Sequence, residues 1–214
     1  MSDVETGEVI IEKNPDMVLP IASISKLITA LVAQQYMNLR EPVTVTRSSV
    51  AMYGTYGGLS NGEKILGNDL LYPLLIESSN DAAEVFAESY GYDAFIKHMN
   101  EKAKELGMAD TSFFEPSGLS YKNISTAKDL MKLVAYITKN HPELWDITRI
   151  RQYAILKHSW INGNNLSRKP SFLGGKNGYT SEANRTTASY FSIPVEGGNR
   201  KIAITILKSN DRDG

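Results

Sequence analysis

The stretch Ser23-Ile24-Ser25-Lys26 has the residue types and spacing of a nucleophile and its base. On a helix, residues three positions apart lie on the same face, so Ser23 and Lys26 can meet. A serine hydroxyl needs a base before it can attack a carbonyl. A lysine can be that base when burial or a nearby positive charge lowers its pKa toward neutrality. This motif predicts acyl-transfer chemistry in which Ser23 is the nucleophile.

The surroundings of Lys26 favour a low pKa. It lies in a strongly apolar segment, 21–38, and a second lysine, Lys176, could supply positive charge. Ser25 is the poorer nucleophile because it points about 100° away from Lys26 around the helix axis. The start of a helix would also favour developing negative charge at Ser23. The alternative is structural, with Ser23 as a helix cap and Lys26 as a solvated side chain.

Two later triplets could complete such a site. The triplet 78–80 (Ser-Ser-Asn) adds a second hydroxyl and an amide, and the triplet 176–178 (Lys-Asn-Gly) adds a second ammonium group. Taken alone, the first fits a cap for the following helix and the second fits an Asn-Gly turn. The nearby glycines lack the Gly-x-x-x-x-Gly-Lys-Ser/Thr spacing of a phosphate loop. The order and spacing of all three motifs together favour a catalytic site.

Hydrophobic periodicity predicts that the middle of the chain is helical. The predicted helices cover about 21–38, 66–76, a segment beginning after Asn80, 93–106 and 125–140, the last of which ends before Pro142. Residues 53–62 are rich in Gly, Tyr, Ser and Asn, which predicts a loop. Tyr53 and Tyr56 of this loop could line a substrate cleft.

Strand-like composition is found toward both ends of the chain, at 8–12, 42–46, 151–156, 172–175, 187–194 and 201–207. The last two of these strands are expected to form a hairpin through a turn at 196–199. This arrangement predicts an α+β fold. An antiparallel sheet would be built from both chain ends, with a mostly helical subdomain inserted between them.

The composition excludes several classes of protein. A formal net charge of −1 over 214 residues, with no run of like charges, argues against nucleic-acid binding. The absence of cysteine excludes a thiol nucleophile, a thiolate zinc site and a disulfide framework. The three histidines, His98, His141 and His158, do not form the motif of a zinc enzyme and are expected to be non-catalytic. No secretory signal or long apolar run is present, as expected for a domain whose processing segments have been removed.

Together, the three motifs resemble the Ser-x-x-Lys, Ser-Asp-Asn and Lys-Thr-Gly set of penicillin-binding proteins and class A β-lactamases. The resemblance is closest to the low-molecular-mass penicillin-binding proteins, and more narrowly to D-alanyl-D-alanine carboxypeptidases of the serine peptidase type. It is carried by the stretches 20–33, 70–87, 99–119 and 174–180. It implies one β-lactamase/transpeptidase-like catalytic domain over 1–214. The sheet subdomain would span about 1–47 and 150–214, and the helical subdomain about 48–149.

The resemblance implies a role for each polar residue of the motifs. Ser23 would be the acylated nucleophile, and Lys26 would accept its proton. Ser78 would relay a proton to the leaving D-alanine, and Asn80 would hydrogen-bond the substrate backbone or Lys26. Lys176 would set the local field and help to bind the terminal carboxylate of the substrate.

The third motif would complete the substrate site. The backbone N–H groups of Ser23 and Tyr179 would form the oxyanion hole, which needs preorganised donors at the developing charge. Gly178 would let the strand approach the substrate without a Cβ clash. Asn177 replaces the usual threonine of this family, whose hydroxyl is expected to bind the terminal carboxylate. Substrate preference, rate or β-lactam affinity is therefore expected to differ.

By resemblance, the protein removes the terminal D-alanine from peptidoglycan stem peptides through an acyl-enzyme on Ser23, and β-lactam antibiotics acylate the same serine. No metal, organic cofactor or nucleic-acid partner is expected. The location would be bacterial and extracytoplasmic, in the periplasm or at the outer face of the cytoplasmic membrane. In this family the chain continues beyond 211–214 into a closing helix, and often into a β domain and a membrane-binding tail. Membrane contact is expected only through such segments.

Two other functions stay open. A β-lactamase of the same fold would need a carboxylate and a water that deacylate the enzyme rapidly, and a Glu-x-x-x-Asn element for this purpose is not evident. A non-catalytic protein that binds cell-wall peptide is the second alternative, motivated by Asn177. It would keep its binding after Ser23→Ala, and the wild type would release no D-alanine.

Overall fold

Both ends of the chain contribute to one antiparallel sheet. The computed structural model describes residues 1–210, so the continuation expected after 211–214 lies outside the described residues. The sheet consists of β1 (Ser2–Asp3), β8 (Phe172–Thr180), β9 (Asn184–Val195) and β10 (Gly198–Ser209). In space they lie in the order β1-β10-β9-β8, with β9 and β10 forming the predicted hairpin. The prediction of an antiparallel sheet built from both chain ends is confirmed.

All α-helices of the described residues lie between β1 and β8. Their bounds are α1 (Ser25–Tyr36), α2 (Arg47–Val50), α3 (Gly67–Tyr72), α4 (Asn80–Tyr90), α5 (Tyr92–Glu105), α6 (Ala127–Asn140) and α7 (Pro142–Arg149). Short 3-10 helices cover Ala22–Ile24 and Asn165–Arg168, and a π-helical turn covers Pro73–Glu77. This mostly helical insertion confirms the predicted α+β architecture. Within residues 1–210, no helix is long and apolar enough to cross a membrane.

Three two-stranded sheets tie the remaining segments together. They are the pairs β2 (Leu19–Pro20) with β5 (Ile124–Ser125), β3 (Pro42–Thr44) with β4 (Lys64–Leu66), and β6 (Gln152–Ile155) with β7 (His158–Ile161). The pair of β2 and β5 matters most for the site, because it joins the segment before α1 to the loop before α6.

Helix α1 is the buried axis of the molecule, as its apolar sequence predicts. Leu27, Ile28 and Leu31 are at most 1% exposed, and the helix packs against α4, α5 and the π-helical turn. Burying an aliphatic side chain of this size contributes about 1.5–3 kcal/mol before cavity effects are counted. The first motif is therefore mounted on a rigid element.

Side-chain caps fix where α4 and α6 begin. Ser79 Oγ accepts a hydrogen bond from the Ala82 N–H at 3.0 Å, and Thr126 Oγ1 accepts one from the Asp129 N–H at 3.0 Å. Each cap satisfies a donor that the first turn of a helix leaves unpaired. Ser79 thus fills the structural role considered for its triplet.

The segment 8–12 is not a strand, contrary to the prediction. Val9 forms only an isolated bridge with Ser2, and the N–H groups of residues 10 and 11 both donate to the Met1 carbonyl. Ile11 is 63% exposed. A longer strand has no partner to extend along, because β1 is only two residues long.

Helix α7 and the full length of β8 were not predicted. The helix predicted over 125–140 ends before Pro142, and in the structure this proline also begins α7, because a proline in the first turn of a helix forfeits no hydrogen bond. Strand β8, predicted over 172–175, continues to Thr180 because Asn177 and Gly178 pair with β9. The Asn-Gly pair is part of a strand and does not form a turn.

Candidate active site

Ser23 is held in a tight turn directly before α1. It lies within the 3-10 helix Ala22–Ile24, and its Oγ is 3.1 Å from Lys26 Nζ. Ala22 has φ of 49°, a left-handed conformation that is uncommon for residues other than glycine. Ser25 turns away from the lysine and donates to the Ala22 carbonyl at 2.9 Å. The geometry therefore pairs Lys26 with Ser23, while Ser25 braces the turn.

Three oxygen atoms surround the Lys26 amine. Besides Ser23 Oγ, Lys26 Nζ donates to Asn80 Oδ1 at 2.8 Å and to the Ser117 carbonyl at 2.5 Å. A charged ammonium group has three donors and can serve all three oxygens. A neutral amine has two N–H bonds and one lone pair. With Asn80 and Ser117 taking the two N–H bonds, the lone pair faces the Ser23 hydroxyl.

Burial makes the neutral amine accessible near physiological pH. Lys26 is fully buried, and this burial lowers its pKa to about 7, against the carboxylates of Glu115, Asp81 and Glu84, which raise it. Burial also holds the pKa of Lys176 well below its ordinary value, and the charge of Lys26 acts in the same direction. Desolvation is thus the main cause of the low pKa of Lys26. The repulsion between the two lysines lowers the pKa of Lys176.

Ser78 and Lys176 form a second hydroxyl–amine pair. Ser78 ends the π-helical turn with φ of 67°, a left-handed conformation that separates this turn from α4. Lys176 Nζ donates to Ser78 Oγ at 2.8 Å and to the carbonyl of Asn177 at 2.8 Å. Lys176 is 2% exposed, while Ser78 is half-buried, so the amine is shielded and the hydroxyl stays partly accessible.

The start of α4 anchors the loop over 53–62. Asn80 donates from Nδ2 to the Tyr53 carbonyl at 2.8 Å, and its backbone N–H donates to the Thr55 carbonyl at 2.8 Å. The carboxylate of Asp81 accepts from the Gly57 N–H at 2.8 and 2.9 Å. The residue that orients Lys26 therefore also positions this loop, in which Tyr53 is exposed.

Strand β8 passes directly beside the nucleophile. A Cβ atom on Gly178 would lie 2.6 Å from the Ser23 backbone nitrogen and 2.9 Å from Ala22 Cβ, so only glycine permits this approach. Asn177 and Tyr179, on either side, are exposed, Tyr179 to 64%. The edge strand thus presents its backbone next to Ser23, where the resemblance requires the oxyanion hole.

Sequence reasoning missed the loop that supplies the Ser117 carbonyl. A backbone acceptor has no residue-type signature, so no motif could have identified it. The one sequence signal for this loop was the glycine at position 118, which adopts φ of 86° in the structure. A Cβ atom there would come within 2.0 Å of the Ala22 carbonyl oxygen. The loop therefore contacts both the lysine and the turn that holds Ser23.

The structure brings the predicted catalytic side chains into two hydrogen-bonded groups, while the histidines pair elsewhere. Lys26 contacts Ser23 and Asn80, and Lys176 contacts Ser78. The two groups are linked by the electrostatic interaction between Lys26 and Lys176, and together they form the candidate cluster. The histidine pairs are His98 with Glu101, His141 with Glu143 and His158 with Glu63.

Relatives of this chain are D-alanyl-D-alanine carboxypeptidases and endopeptidases. The family model of peptidase S11, described as D-alanyl-D-alanine carboxypeptidase, matches residues 1–209. A D-alanyl-D-alanine endopeptidase of Escherichia coli K12 is 44% identical over 154 residues, which cover 70% of this chain and 49% of the relative. A D-alanyl-D-alanine endopeptidase of Pseudomonas aeruginosa is 37% identical over 196 residues, covering 86% and 63%. The D-alanyl-D-alanine carboxypeptidase DacF of Bacillus subtilis is 32% identical over 226 residues, covering 98% and 56%. The chain thus spans less than two thirds of each relative.

Solved structures share the fold. A D-alanyl-D-alanine carboxypeptidase from Mycobacterium tuberculosis has a TM-score of 0.85 and 30% identity, covering 96% of this chain and 80% of that one. The Streptomyces K15 DD-transpeptidase also has a TM-score of 0.85, with 28% identity over 96% of this chain and 86% of that one. The predicted β-lactamase/transpeptidase-like fold is confirmed. With a family match over nearly its whole length, this chain belongs to the D-alanyl-D-alanine carboxypeptidase family, peptidase S11.

Proposed function

We propose that this protein is a serine-type D-Ala-D-Ala carboxypeptidase with Ser23 as its nucleophile. The observation that carries the proposal is the buried Lys26 amine, 3.1 Å from Ser23 Oγ and with its pKa lowered to about 7. A general base is most effective when its pKa lies near the working pH. Family membership supplies the substrate class, a peptide that ends in D-alanyl-D-alanine.

The acylation step uses both hydroxyl–amine pairs. Lys26 takes the proton of Ser23 as its Oγ attacks the carbonyl of the penultimate D-alanine. The Ser23 O–C bond forms and the C–N bond to the terminal D-alanine breaks. Ser78, held by Lys176 at 2.8 Å, relays to the leaving nitrogen the proton that Lys26 took from Ser23. Water then attacks the ester carbonyl and gives a proton to Lys26, the bond between the carbonyl carbon and Ser23 Oγ breaks, and Lys26 returns the proton to Ser23 Oγ.

The substrate is proposed to bind along the exposed edge of β8. An extended peptide can add to an exposed sheet edge through backbone hydrogen bonds. The backbone N–H groups of Ser23 and Tyr179 would stabilise the oxyanion that forms during attack. Lys176 and the amide of Asn177 would face the terminal carboxylate, and Gly178 leaves room for the approach.

The proposed partners and location follow from the family. Peptidoglycan stem peptides would be the substrate, and β-lactam antibiotics would acylate Ser23 as covalent inhibitors. This chemistry belongs to bacterial cell-wall peptidases and would take place outside the cytoplasm, in the periplasm or at the outer face of the cytoplasmic membrane. The steps proposed above use only groups of this chain, such as the Ser23–Lys26 and Ser78–Lys176 pairs, and involve no cofactor.

An endopeptidase that cleaves D-alanyl cross-links is the second candidate. The E. coli and P. aeruginosa relatives both carry that name. Exposed Asn177, in place of a threonine hydroxyl, is consistent with a substrate lacking a free terminal D-alanine carboxylate. Release of D-alanine from a stem pentapeptide supports the carboxypeptidase. Cleavage of a cross-linked muropeptide dimer without such release supports the endopeptidase.

Intact mass after incubation with benzylpenicillin tests the nucleophile common to both candidates. We expect one stable adduct on the wild type and on Ser181→Ala, an exposed serine used as the control, and no adduct on Ser23→Ala. Hydrolysed drug without a lasting adduct would instead indicate a β-lactamase. A folded wild type with no adduct and no peptide cleavage would indicate a peptide-binding protein without catalysis.

A further inference from the structure

We propose that Glu115 is a positioning residue for this reaction, since its carboxylate shapes the turn that presents the Ser117 carbonyl to Lys26. The inference rests on the proposed function, because Lys26 must act as the base for its orientation to matter. Glu115 is absent from the three motifs, and it is 8% exposed. It touches no reacting atom and would act only through Lys26 and the turn before Ser23.

The Glu115 carboxylate collects four donors from the turn that follows it. Oε2 accepts from the Ser117 N–H at 2.7 Å and from Ser117 Oγ at 2.5 Å. Oε1 accepts from the Gly118 N–H at 2.7 Å and from the Ser120 N–H at 3.2 Å. Hydrogen bonds to an ionised carboxylate are stronger than those between neutral groups. The turn over 117–120 is therefore held in place by hydrogen bonds to this one side chain.

The turn over 117–120 contacts both Lys26 and the backbone next to Ser23. The backbone N–H of Ser117 donates to Glu115, and the backbone carbonyl of the same residue accepts from Lys26 Nζ at 2.5 Å. Gly118, the next residue, packs against the peptide that joins Ala22 to Ser23. If the turn relaxed, Lys26 would lose one of the two acceptors that direct its lone pair toward Ser23.

The backbone on either side of Glu115 is fixed independently of its carboxylate. Asn123 Oδ1 accepts from the Phe114 N–H at 2.8 Å, and Asn123 Nδ2 donates to the Glu115 carbonyl at 2.8 Å. Thr29 Oγ1, on α1, donates to the Pro116 carbonyl at 2.6 Å. A change confined to the Glu115 carboxyl group is therefore expected to leave the fold in place and to loosen only 117–120.

Glu115 also acts on Lys26 through its charge. It is the largest of the carboxylate contributions that raise the pKa of Lys26, ahead of Asp81 and Glu84. The charges of Lys26 and Lys176 interact, and Tyr92 and Glu84 also interact electrostatically with Glu115. Removing the charge of Glu115 would lower the pKa of Lys26, which moves the onset of its base form to lower pH. A purely structural residue would not move that onset.

The test is the rate of acylation by benzylpenicillin as a function of pH for Glu115→Gln, Glu115→Asp and the control Glu41→Gln. Glu41 is exposed, and its carboxylate accepts a hydrogen bond from the nearby Asn38 Nδ2. For Glu115→Gln we expect a plateau rate about 10–100-fold lower, because misplaced groups cost up to about 10²-fold, and a midpoint at lower pH. Glu115→Asp keeps the charge but not the reach, so its rate should fall while its midpoint stays. The control should match the wild type.

The outcomes separate this inference from the proposed function. A folded wild type that forms no adduct overturns the proposed function and this inference with it. An acylated wild type with an unchanged Glu115→Gln profile overturns the positioning role alone. A lower rate with an unmoved midpoint in Glu115→Gln also overturns it, because it shows a structural effect only. If Glu115→Gln fails to fold, Glu115→Asp decides the question. A folded variant with a lower rate and the wild-type midpoint supports the proposal, because its charge is retained and only its reach is lost, and a wild-type rate overturns the proposal.

Discussion

Lys26 determines how the site responds to pH. Its amine is enclosed by protein, and burial lowers its pKa to about 7. Asn80 and Ser117 accept its two remaining N–H bonds once it is neutral. The same residue therefore supplies the base and, through its partners, the direction in which the base acts.

The rate of Ser23 acylation by benzylpenicillin is expected to rise as the pH rises through about 7 and then to level off, because the free base of Lys26 accumulates over that range. Lys26→Arg should lower the rate by about 10²–10⁴-fold, since a guanidinium group stays charged. Quenched-flow mass spectrometry gives both results. Lys97→Arg, at an exposed lysine, is the control, and a wild-type rate independent of pH would refute the role of Lys26.

Glu84 is a second buried titratable group, and it bears on stability. It is 4% exposed, and its Oε1 has no hydrogen-bond partner among residues 1–210. Burial is the main cause that raises its pKa from 4.5 to about 8. The folded protein keeps a proton that the unfolded chain releases above pH 4.5. The stability that this proton contributes is fully present below that pH and is lost as the pH rises to about 8.

Glu84→Gln mimics the protonated carboxyl group at every pH. The melting temperature of the variant minus that of the wild type should therefore increase from about pH 5 to about pH 8. Differential scanning calorimetry at several pH values measures this difference. Glu41→Gln, at an exposed position, should show no such trend. A constant difference for Glu84→Gln would mean that Glu84 is already ionised in the folded protein.

At the scale of elements, the approach of β8 to the turn before α1 is the tightest constraint on the site. Gly178 leaves no room for a Cβ atom beside Ser23. Thr186, on the neighbouring strand β9, donates to the Ile21 carbonyl at 3.0 Å and fixes the same contact from the other side. The sheet and the first motif are therefore positioned as one unit.

Gly178→Ala should lower acylation by benzylpenicillin by about 10²-fold or more, because the added methyl group displaces β8 or the Ser23 turn. The matched control is Gly163→Ala. Its added Cβ would meet only the Ile76 carbonyl, at 3.9 Å, which is an ordinary contact. Far-ultraviolet circular dichroism should show both variants folded. Full activity in Gly178→Ala would show that β8 and the turn before α1 can move apart without loss of activity.

The sequence predicted those parts of the site whose geometry is local. Ser23 and Lys26 were paired correctly because three positions along a helix bring two side chains together, whatever the rest of the fold does. The Ser117 carbonyl could not be predicted, since any residue carries such a group and only tertiary packing selects one. Pro142 misled the prediction of α7 because proline both ends and begins helices.

At the scale of the whole molecule, the two chain ends must meet before the site exists. Helix α1 carries Lys26 and the 3-10 turn before it carries Ser23, while β8 lies late in the chain and brings Lys176. Ser78 comes from the helical insertion between them, and Lys176 reaches it across 98 positions of sequence. The cluster thus depends on all parts of the fold at once.

Competence to react with penicillin should return late when the unfolded protein is refolded. Helical signal in the far-ultraviolet region can recover from local contacts, whereas long-range strand pairing is slow. We expect acylation of Ser23, measured with a fluorescent penicillin added at intervals, to lag behind the helical signal. Ser23→Ala is the blank for this assay. Simultaneous recovery of both signals would show that the sheet closes together with the helices.

The bond from Thr186 to the Ile21 carbonyl spans 165 positions of the chain, and this has a consequence for biosynthesis. A ribosome adds about 5–20 residues per second, so Ser23 leaves the ribosome seconds before its partners on β8 and β9 do. During that interval the nascent chain holds Ser23 and Lys26 without β8 and therefore without the proposed oxyanion site. Covalent labelling by penicillin is therefore expected to mark only those molecules whose translation has passed β9.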